Sequence, residues 1–294
     1  MGVFTWKREP IELFCSGGCG HELTLFRCSA CKLPRLQGKS TRPGLLKCKD
    51  CRLPFTVTVG TIFEDSHIPL RKWVIAFHLI CSSKKGISAK QLQRNLGLAS
   101  YKSAWHMAHR IRHAMTQGVF AKPLTGIVEV DETYVGGKPR RGDGLQHKRG
   151  RGTRKTPVIA LVSRDGDVRT RIVASVSSKT LKSAISENVS REARIVTDEL
   201  PAYRRAAKGF DGGHMTVNHG AGEYARGDVH TNTAESFFAL LKRGVYGSFH
   251  HVSKEHLARY CNEFAFRWGY RDVTDGERTE AAIRNAEGKR LRYI

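Results

Sequence analysis

Two acidic residues follow apolar segments that are typical of buried strands. Asp131 comes directly after residues 127–130, and Asp198 follows the apolar pair Ile195 and Val196. A carboxylate at the end of a buried strand is held rigidly and can point into a cleft. Two such carboxylates on neighbouring strands can share Mg²⁺ or Mn²⁺, ions that prefer oxygen ligands and often bind substrate phosphates as well. This pattern predicts a two-metal site for displacement at phosphorus.

A third acid and a base occur further along the chain, on a predicted helix. Glu235 is followed seven residues later by Lys242. Seven residues span two helical turns, so both side chains lie on one face and can hold a scissile phosphate and its neighbour together. The alternatives are aspartates that cap turns at strand ends, and an exposed Glu235–Lys242 pair that contributes little.

Each predicted aspartate ligand is followed by a glutamate, Glu132 after Asp131 and Glu199 after Asp198. Neighbouring side chains on a strand point to opposite faces of the sheet. We therefore predict that the aspartate of each pair is the metal ligand.

Four cysteines near the N-terminus have the spacing of a structural zinc site. The pairs Cys28-x₂-Cys31 and Cys48-x₂-Cys51 are separated by sixteen residues, a spacing at which two pairs supply four thiolates to one tetrahedral ion. A Zn²⁺ ion held in this way stabilises the fold and leaves no coordination position for catalysis.

The other four cysteines have different predicted roles. Cys15 and Cys19, with His21 nearby, either bind a second ion or are redundant. Cys81 and Cys261 lie in apolar helical segments, where a cysteine usually serves as a small core residue.

The charge predicts a polyanionic partner. Lys and Arg number 50 against 27 Asp and Glu, a formal net charge of +23 over 294 residues. So large a charge creates a long-range positive field, which draws nucleic acid or an anionic membrane. No apolar run approaches the roughly 20 residues of a spanning helix, and the first residues lack the apolar region of a signal peptide. We predict a soluble, cytoplasmic, nucleoid-associated protein with no membrane partner.

The elements that precede the acidic residues form two predicted modules. Residues 1–65 contain six of the eight cysteines and only short apolar runs, which predicts a small ribbon that depends on its zinc. Residues 66–122 are helical in pattern, with one helix from about residue 70, a second after Ser88 that ends at Gly97, and a third after Ser100. Two short helices joined through a glycine turn predict either a helix-turn-helix or an ordinary helical hairpin.

The elements that carry the acids predict an α/β domain over residues 123–275. Strands are expected at 127–130, 157–162, 170–174 and 193–197, and helices at about 179–189, 233–243 and 253–267. Asp165-Gly166 predicts a hairpin turn between the second and third strands. Residues 276–294 are predicted to be a basic C-terminal tail.

A glycine-rich basic segment separates the first two predicted strands. Residues 136–155 contain eight Lys or Arg and a single acid, Asp143. Such a segment cannot pack a core, so we predict a mobile loop that is a solvated excursion, an arm on DNA phosphates, or both.

Several longer motifs resemble one family, the DDE insertion-sequence transposases, and within it the ISXO-type group with an N-terminal zinc ribbon. In the second half of the chain the matching segments are Val128-Glu-Val-Asp131-Glu-Thr-Tyr-Val-Gly-Gly-Lys, Ile195-Val-Thr-Asp198-Glu with Tyr203, Val217-Asn-His219, Gly222-Glu-Tyr224, His230-Thr-Asn-Thr-Ala-Glu235-Ser-Phe-Phe-Ala-Leu-Leu-Lys242-Arg-Gly and Ser248-Phe-His-His-Val-Ser. Upstream, the resemblance continues through Thr58-Val-Gly-Thr-Ile-Phe63, Pro69-Leu-Arg-Lys-Trp73 and Ser103-Ala-Trp105. The two cysteine pairs depart from the family, because they lack the Pro and Gly common in its zinc knuckles.

The resemblance implies an RNase H-like catalytic domain. It implies that Asp131, Asp198 and Glu235 are metal ligands, that Lys242 contacts DNA, and that His219 and His230 lie near the site. The implied reaction is cleavage by activated water at the ends of an insertion sequence, followed by attack of the freed 3′-hydroxyl on target DNA.

The implied partner is double-stranded DNA, both as terminal inverted repeats and as target. Joining two ends requires at least a dimer, so a homo-oligomer on DNA is expected. The zinc ribbon and helix-turn-helix would recognise the repeats, with base contacts from Lys102, Ser103 and His106. The alternatives are a DNA-binding protein without catalysis and a resolvase-like nuclease that cuts but does not join. The three acids favour catalysis, because without metal they would repel phosphate.

Overall fold

The structure, a computed structural model, describes residues 36–37, 45–48, 52, 54–116, 122–137 and 153–291. Most of the basic segment at 136–155 and most of the predicted zinc ribbon lie outside these residues. The described part of the ribbon is a three-stranded antiparallel sheet in the order β1-β2-β3. Its strands are β1 (Leu36–Gln37), β2 (Leu45–Cys48) and β3 (Pro54–Thr56).

Three helices follow where the sequence predicts them: α1 (Leu70–Ser82), α2 (Ala89–Leu96) and α3 (Tyr101–Ala114). The caps explain their bounds. The Ser88 hydroxyl accepts the N–H of Gln91, and the Ser100 hydroxyl accepts the N–H of Lys102. Gly97 ends α2 with a φ of +56°, in the left-handed region that favours glycine.

The predicted basic tail at 276–294 contains a further helix, α8 (Asp275–Arg284). Thr274 and Glu277 form a capping box at its start. Ala282 is fully buried in a core that also contains residues of α1, α2 and α3. The helix therefore belongs to the folded helical module. Its apolar face is narrow and is hard to recognise in the sequence because many of its residues are charged.

The α/β domain contains a five-stranded sheet in the order β6-β5-β4-β7-β8. Its strands are β4 (Ile127–Val135), β5 (Thr156–Ser163), β6 (Val168–Ile172), β7 (Arg194–Thr197) and β8 (His214–Thr216). β5 is antiparallel to β4 and β6, whereas β7 is parallel to β4 and β8. The predicted mixed α/β sheet is confirmed, with β8 as a strand the sequence analysis missed.

β4 differs from its predicted length. It continues to Val135 because residues 131–135 pair with residues 156–160 of β5. Asp131 therefore lies within a strand and not after it. The hairpin at Asp165-Gly166 is confirmed, since the N–H of Ser163 donates to the carbonyl of Asp167 across the turn.

Helices cover both faces of this sheet. α4 (Ser178–Asn188) and α5 (Pro201–Ala206) pack on one face, while α6 (Asn232–Gly244) and α7 (Lys254–Gly269) pack on the other. Alternation along β4 directs Val128 and Val130 to the α4–α5 face and the odd-numbered residues, including Val135, to the α6–α7 face.

A buried ion network joins the helical module to the α/β domain. Arg112 of α3 donates to Glu263 of α7 at 2.6 Å, and Arg267 lies 3.0 Å from the other oxygen of Glu263. The Arg112 guanidinium also lies over the Tyr260 ring, 4.0 Å from its centroid. Among the described helices, none is long and apolar enough to cross a membrane.

Candidate active site and metal centre

Three carboxylates meet where β7 ends beside β4. Thr197, the last residue of β7, pairs with Val130, so the next residue of each strand, Asp198 and Asp131, lie side by side. One carboxylate oxygen from each of Asp131, Glu132 and Asp198 lies within 4.8 Å of the others. The backbone N–H of Leu200 donates to Oδ1 of Asp198 at 3.1 Å and helps to orient it.

Burial and nearby negative charge change the acidity of Asp131. Burial, with smaller contributions from the Glu132, Asp198 and Glu235 carboxylates, raises the pKa of Asp131 to about 7, against a hydrogen bond from the N–H of Glu132 that lowers it. A divalent cation would relieve this repulsion, and an all-oxygen donor set suits Mg²⁺ or Mn²⁺. The residues present therefore fit the metal that the sequence predicts.

Glu132 was not among the predicted ligands. It belongs to the α4–α5 face of β4, as alternation requires, yet its carboxylate reaches the cluster because β7 stops pairing at Val130, two residues before it. The Tyr203 hydroxyl of α5 donates to Oε2 of Glu132 at 2.6 Å, and this tyrosine is fully buried. Strict alternation of side chains along β4 does not predict this contact. The contact depends on the length of the glutamate side chain and on the early end of the neighbouring strand β7.

Glu199, the other neighbouring glutamate, has a different role. Its carboxylate accepts the backbone N–H groups of His219 at 3.0 Å and Gly220 at 3.3 Å. These hydrogen bonds fix the start of a 3₁₀ helix (His219–Ala221). Bonds from its own N–H and from these two groups lower the pKa of Glu199.

Glu235 lies in the first turn of α6, at the edge of the cluster. Its side chain is 52% exposed, and its Oε1 atom lies 3.6 Å from Nε2 of His219. The Thr231 hydroxyl donates to the same oxygen at 3.3 Å. Glu235 stands outside the group of three carboxylates, although its charge contributes to the raised pKa of Asp131. His219 is thus placed next to the third predicted ligand.

Lys242 lies in the last turn of α6, seven residues after Glu235. The predicted helix is confirmed, and this spacing sets both residues on one face. Phe237 and Leu241 on the opposite side are fully buried against the sheet, so the Glu235–Lys242 face is directed away from the core.

Glu129 is a buried carboxylate that the sequence analysis did not single out. It accepts the N–H of Thr233 at 2.8 Å, the Thr233 hydroxyl at 2.8 Å and the N–H of Ala234 at 3.0 Å. Arg164 donates to it at 2.8 Å, and Nδ1 of His230 lies 3.3 Å away. The sequence does indicate that Glu129 lies near the site, because it is two residues before Asp131 and therefore on the same face of β4.

The predicted zinc ligands Cys28, Cys31 and Cys51 lie outside the described residues, as do Cys15 and Cys19. Of Cys48 only the backbone is described, at the end of β2.

The remaining cysteines, Cys81 and Cys261, are buried free thiols. Burial raises the pKa of each thiol to about 12, so both are protonated at neutral pH. Their predicted role as core residues is confirmed.

The three residues predicted to read bases lie at the start of α3. Lys102 is exposed, and Ser103 and His106 are half-buried. The Trp105 ring packs edge-on against His106, with centroids 5.2 Å apart. Ala104 and Met107 lie on the buried side of the same helix, so α3 presents a polar face opposite its core face.

Solved structures of the Mos1 transposase have a weak likeness to this chain. A pre-cleavage Mos1 transpososome covers 76% of this chain and 82% of its own, with 13% identity and a TM-score of 0.29. The Mos1 strand transfer complex covers 72% and 81%, with 13% identity and a TM-score of 0.25. TM-scores this low support no conclusion about fold or function.

Sequence relatives are more informative. Residues 123–269, half of the chain, match the family described as the ISXO2-like transposase domain. An uncharacterized protein in transposable element ISH50 of Halobacterium salinarum is 33% identical over 233 residues, which cover 75% of this chain and 76% of that protein. Residues 123–269 of the family match include every acid of the cluster and the whole of α6. By this match and this identity, the chain belongs to the ISXO2-like transposase family.

Proposed function

We propose that this protein is a DNA transposase that cleaves strands at insertion-sequence ends and transfers them into target DNA, with Mg²⁺ or Mn²⁺ as cofactor. The observation that carries the proposal is the cluster of Asp131, Glu132 and Asp198 within the segment that matches a transposase family. A protein that only binds DNA has no need of three clustered acids, because they would repel phosphate.

The proposed ligands are Asp131, Asp198 and Glu235. Two bound cations would activate the attacking oxygen and stabilise the leaving one. Glu235 lies within electrostatic range of the cluster, since its charge affects the pKa of Asp131, and its side chain is 52% exposed at the edge of the cluster. The Tyr203 hydroxyl keeps Glu132 in place beside these ligands.

The strand order β6-β5-β4-β7-β8, with acids on the central strand and after its parallel neighbour, supports an RNase H-like catalytic domain. Lys242 would hold a phosphate next to the scissile one. The reaction needs no covalent protein–DNA intermediate, so it requires no serine or tyrosine nucleophile.

The DNA-binding surfaces are proposed from charge and element type. α2 and α3 form the proposed helix-turn-helix, with Lys102, Ser103 and His106 directed at base edges. The basic segment at 138–155 would contact flanking phosphates. A zinc ribbon held by the four cysteines of the two pairs would share recognition of the terminal inverted repeats, and two or more copies would assemble on the DNA.

The test is strand cleavage and joining on the DNA that flanks this gene, with Mg²⁺ or Mn²⁺ present. Wild type should produce 3′-hydroxyl ends that join to a plasmid. Asp198→Ala should abolish both steps and leave DNA affinity nearly unchanged, because it removes a metal ligand. The matched control is Glu187→Gln, an exposed acid of α4 paired with Arg171, which should retain full activity.

Each other outcome has a separate meaning. Cleavage that survives Asp198→Ala would refute the metal assignment. Cutting without joining would indicate a nuclease, and binding with neither reaction would indicate a DNA-binding protein without catalysis.

A further inference from the structure

The Glu129 side chain is buried between the central strand of the sheet and the start of α6. It is 0% exposed and receives hydrogen bonds from two backbone N–H groups, one hydroxyl and one guanidinium, all between 2.8 and 3.0 Å. A buried carboxylate is costly unless its oxygens are hydrogen-bonded. Here both oxygens are bonded from several directions, so the carboxylate has one well-defined position.

These contacts connect the two elements that carry the proposed ligands. Glu129 lies two residues before Asp131 on β4, and both side chains point to the same face. Thr233, which donates twice to Glu129, lies two residues before Glu235 on α6. One carboxylate thus holds the start of α6 at a set distance from the strand that bears Asp131.

The electrostatics of the contact are favourable. The first N–H groups of a helix have no partner within the helix and carry partial positive charge. Glu129 satisfies those of Thr233 and Ala234 from a residue more than 100 positions earlier. Arg164 neutralises the charge of Glu129 and also donates to the backbone carbonyl of His230 at 3.3 Å, which holds the segment that leads into α6.

We propose that Glu129 is a positioning residue that sets the separation between Asp131 and Glu235, with Arg164 as its counter-ion. The inference rests on the proposed function, because that function makes Asp131 and Glu235 ligands of one metal centre. Glu129 itself touches neither metal nor DNA in this proposal.

The principal variant is Glu129→Gln, which keeps the shape of the side chain and loses its charge. We expect kcat for cleavage to fall about 100-fold, the size of loss that a misplacement of about 1 Å can cause. The DNA dissociation constant should stay within about twofold, because no DNA contact is removed. Unchanged kcat would overturn the proposal.

A matched control separates positioning from general destabilisation. Glu263→Gln also removes the charge of a fully buried, arginine-paired glutamate, but in the network between α3 and α7. Both variants should lower the melting temperature, whereas only Glu129→Gln should lower kcat when both are assayed well below melting. An equal loss of kcat in the two variants would show that stability alone is responsible.

A milder variant covers the case in which Glu129→Gln does not fold. Thr233→Val removes the hydroxyl bond to Glu129 and leaves both backbone N–H bonds intact. We expect kcat to fall about tenfold, the lower end of what the loss of one hydrogen bond to a charged group can cause. A folded Thr233→Val variant with wild-type kcat would contradict the positioning role.

Mn²⁺ binding without DNA distinguishes failure of this inference from failure of the proposed function. Calorimetry should give about tenfold weaker Mn²⁺ binding for Glu129→Gln than for wild type. A loss of about this size is typical when a residue that orients a metal ligand, without binding the metal itself, is replaced. If wild type binds Mn²⁺ but cuts no DNA, the transposase proposal fails while the weaker binding still supports Glu129. Equal Mn²⁺ binding by the two proteins would overturn the role of Glu129 alone.

Discussion

At the scale of single residues, the acid cluster opposes folding when no metal is bound. The pKa of Asp131 rises from 3.8 to about 7, mainly through burial and then through its acidic neighbours. Between these two values the unfolded chain releases the proton while the folded chain keeps it, so stability falls as the pH rises through this range. Above about pH 7 the destabilisation is complete.

This linkage predicts the effect of Asp131→Asn. In EDTA at about pH 8 the variant should melt roughly 4–8 °C above wild type, because a relief of about 2 kcal/mol moves the melting temperature by that amount in a chain of this size. At about pH 4.5 most of the difference should disappear, since Asp131 is then protonated in the folded protein. Thermal melting at the two pH values measures this.

The control is Asp272→Asn, whose side chain is 83% exposed and which should change the melting temperature little at either pH. Equal melting of wild type and Asp131→Asn at the higher pH would show that the cluster carries no such repulsion.

The aspartates of the cluster could be predicted because each follows a recognisable apolar strand. Glu132 could not, since strict alternation excludes it and only the early end of β7 lets it reach the site. Glu129 could not either, because its partners on α6 lie more than 100 residues away in sequence. Short-range patterns indicate candidate ligands, whereas the residues that support them are determined by tertiary contacts.

At the scale of elements, α8 completes the core of the helical module. Ala282→Asp should destabilise the protein by about 3–5 kcal/mol, because it places an unpaired charge in the core. Glu280→Ala, on the exposed side of the same helix, should cost less than about 0.5 kcal/mol. Urea unfolding measures both, and a tolerated Ala282→Asp would indicate that residues 276–294 behave as the tail first predicted.

The zinc ribbon is a second element-scale prediction. Cys48→Ser should lower the zinc content measured by atomic absorption and weaken binding to terminal-repeat DNA, because a structural site loses affinity with any of its thiolates. Cys81→Ser is the control, since this buried thiol belongs to the core of the helical module and should leave the zinc content unchanged. Zinc retained in full by Cys48→Ser would refute the four-cysteine site.

The sequence predicted α1, α2 and α3 well because serine and glycine mark their ends. The predicted β4 was too short, because the apolar segment ends before Asp131 whereas backbone pairing with β5 continues to Val135. The sequence analysis missed β8, α5 and α8 because none has a strong apolar period: β8 is His-Met-Thr, α5 is Pro-Ala-Tyr-Arg-Arg-Ala, and five of the ten residues of α8 are charged. β8 is stabilised by pairing with β7, and α5 and α8 are stabilised by packing in a core. These are tertiary contacts, which the local sequence does not reveal.

At the scale of the whole molecule, the net charge of +23 predicts DNA binding that depends steeply on salt. The logarithm of the dissociation constant should rise linearly with the logarithm of salt concentration, as each neutralised phosphate releases counterions. Lys242→Gln should reduce this slope by about 1, the effect of one lost phosphate contact. Fluorescence anisotropy over a salt series measures the slope.

Lys179→Gln provides the control for that series. This exposed lysine belongs to α4, on the face of the sheet opposite α6, so its removal should leave the slope unchanged. Equal slopes for wild type and Lys242→Gln would place Lys242 outside the DNA-binding surface.

The packing of α3 against α7 has a consequence for where DNA is cut. Because the Arg112 guanidinium of α3 lies over the Tyr260 ring of α7, we expect the proposed base-reading helix to keep a fixed distance from the acid cluster. The number of base pairs between the recognised sequence and the severed bond would be set by the protein and not by the DNA. Shifting the recognised sequence along the duplex would then shift the cut by the same number of base pairs.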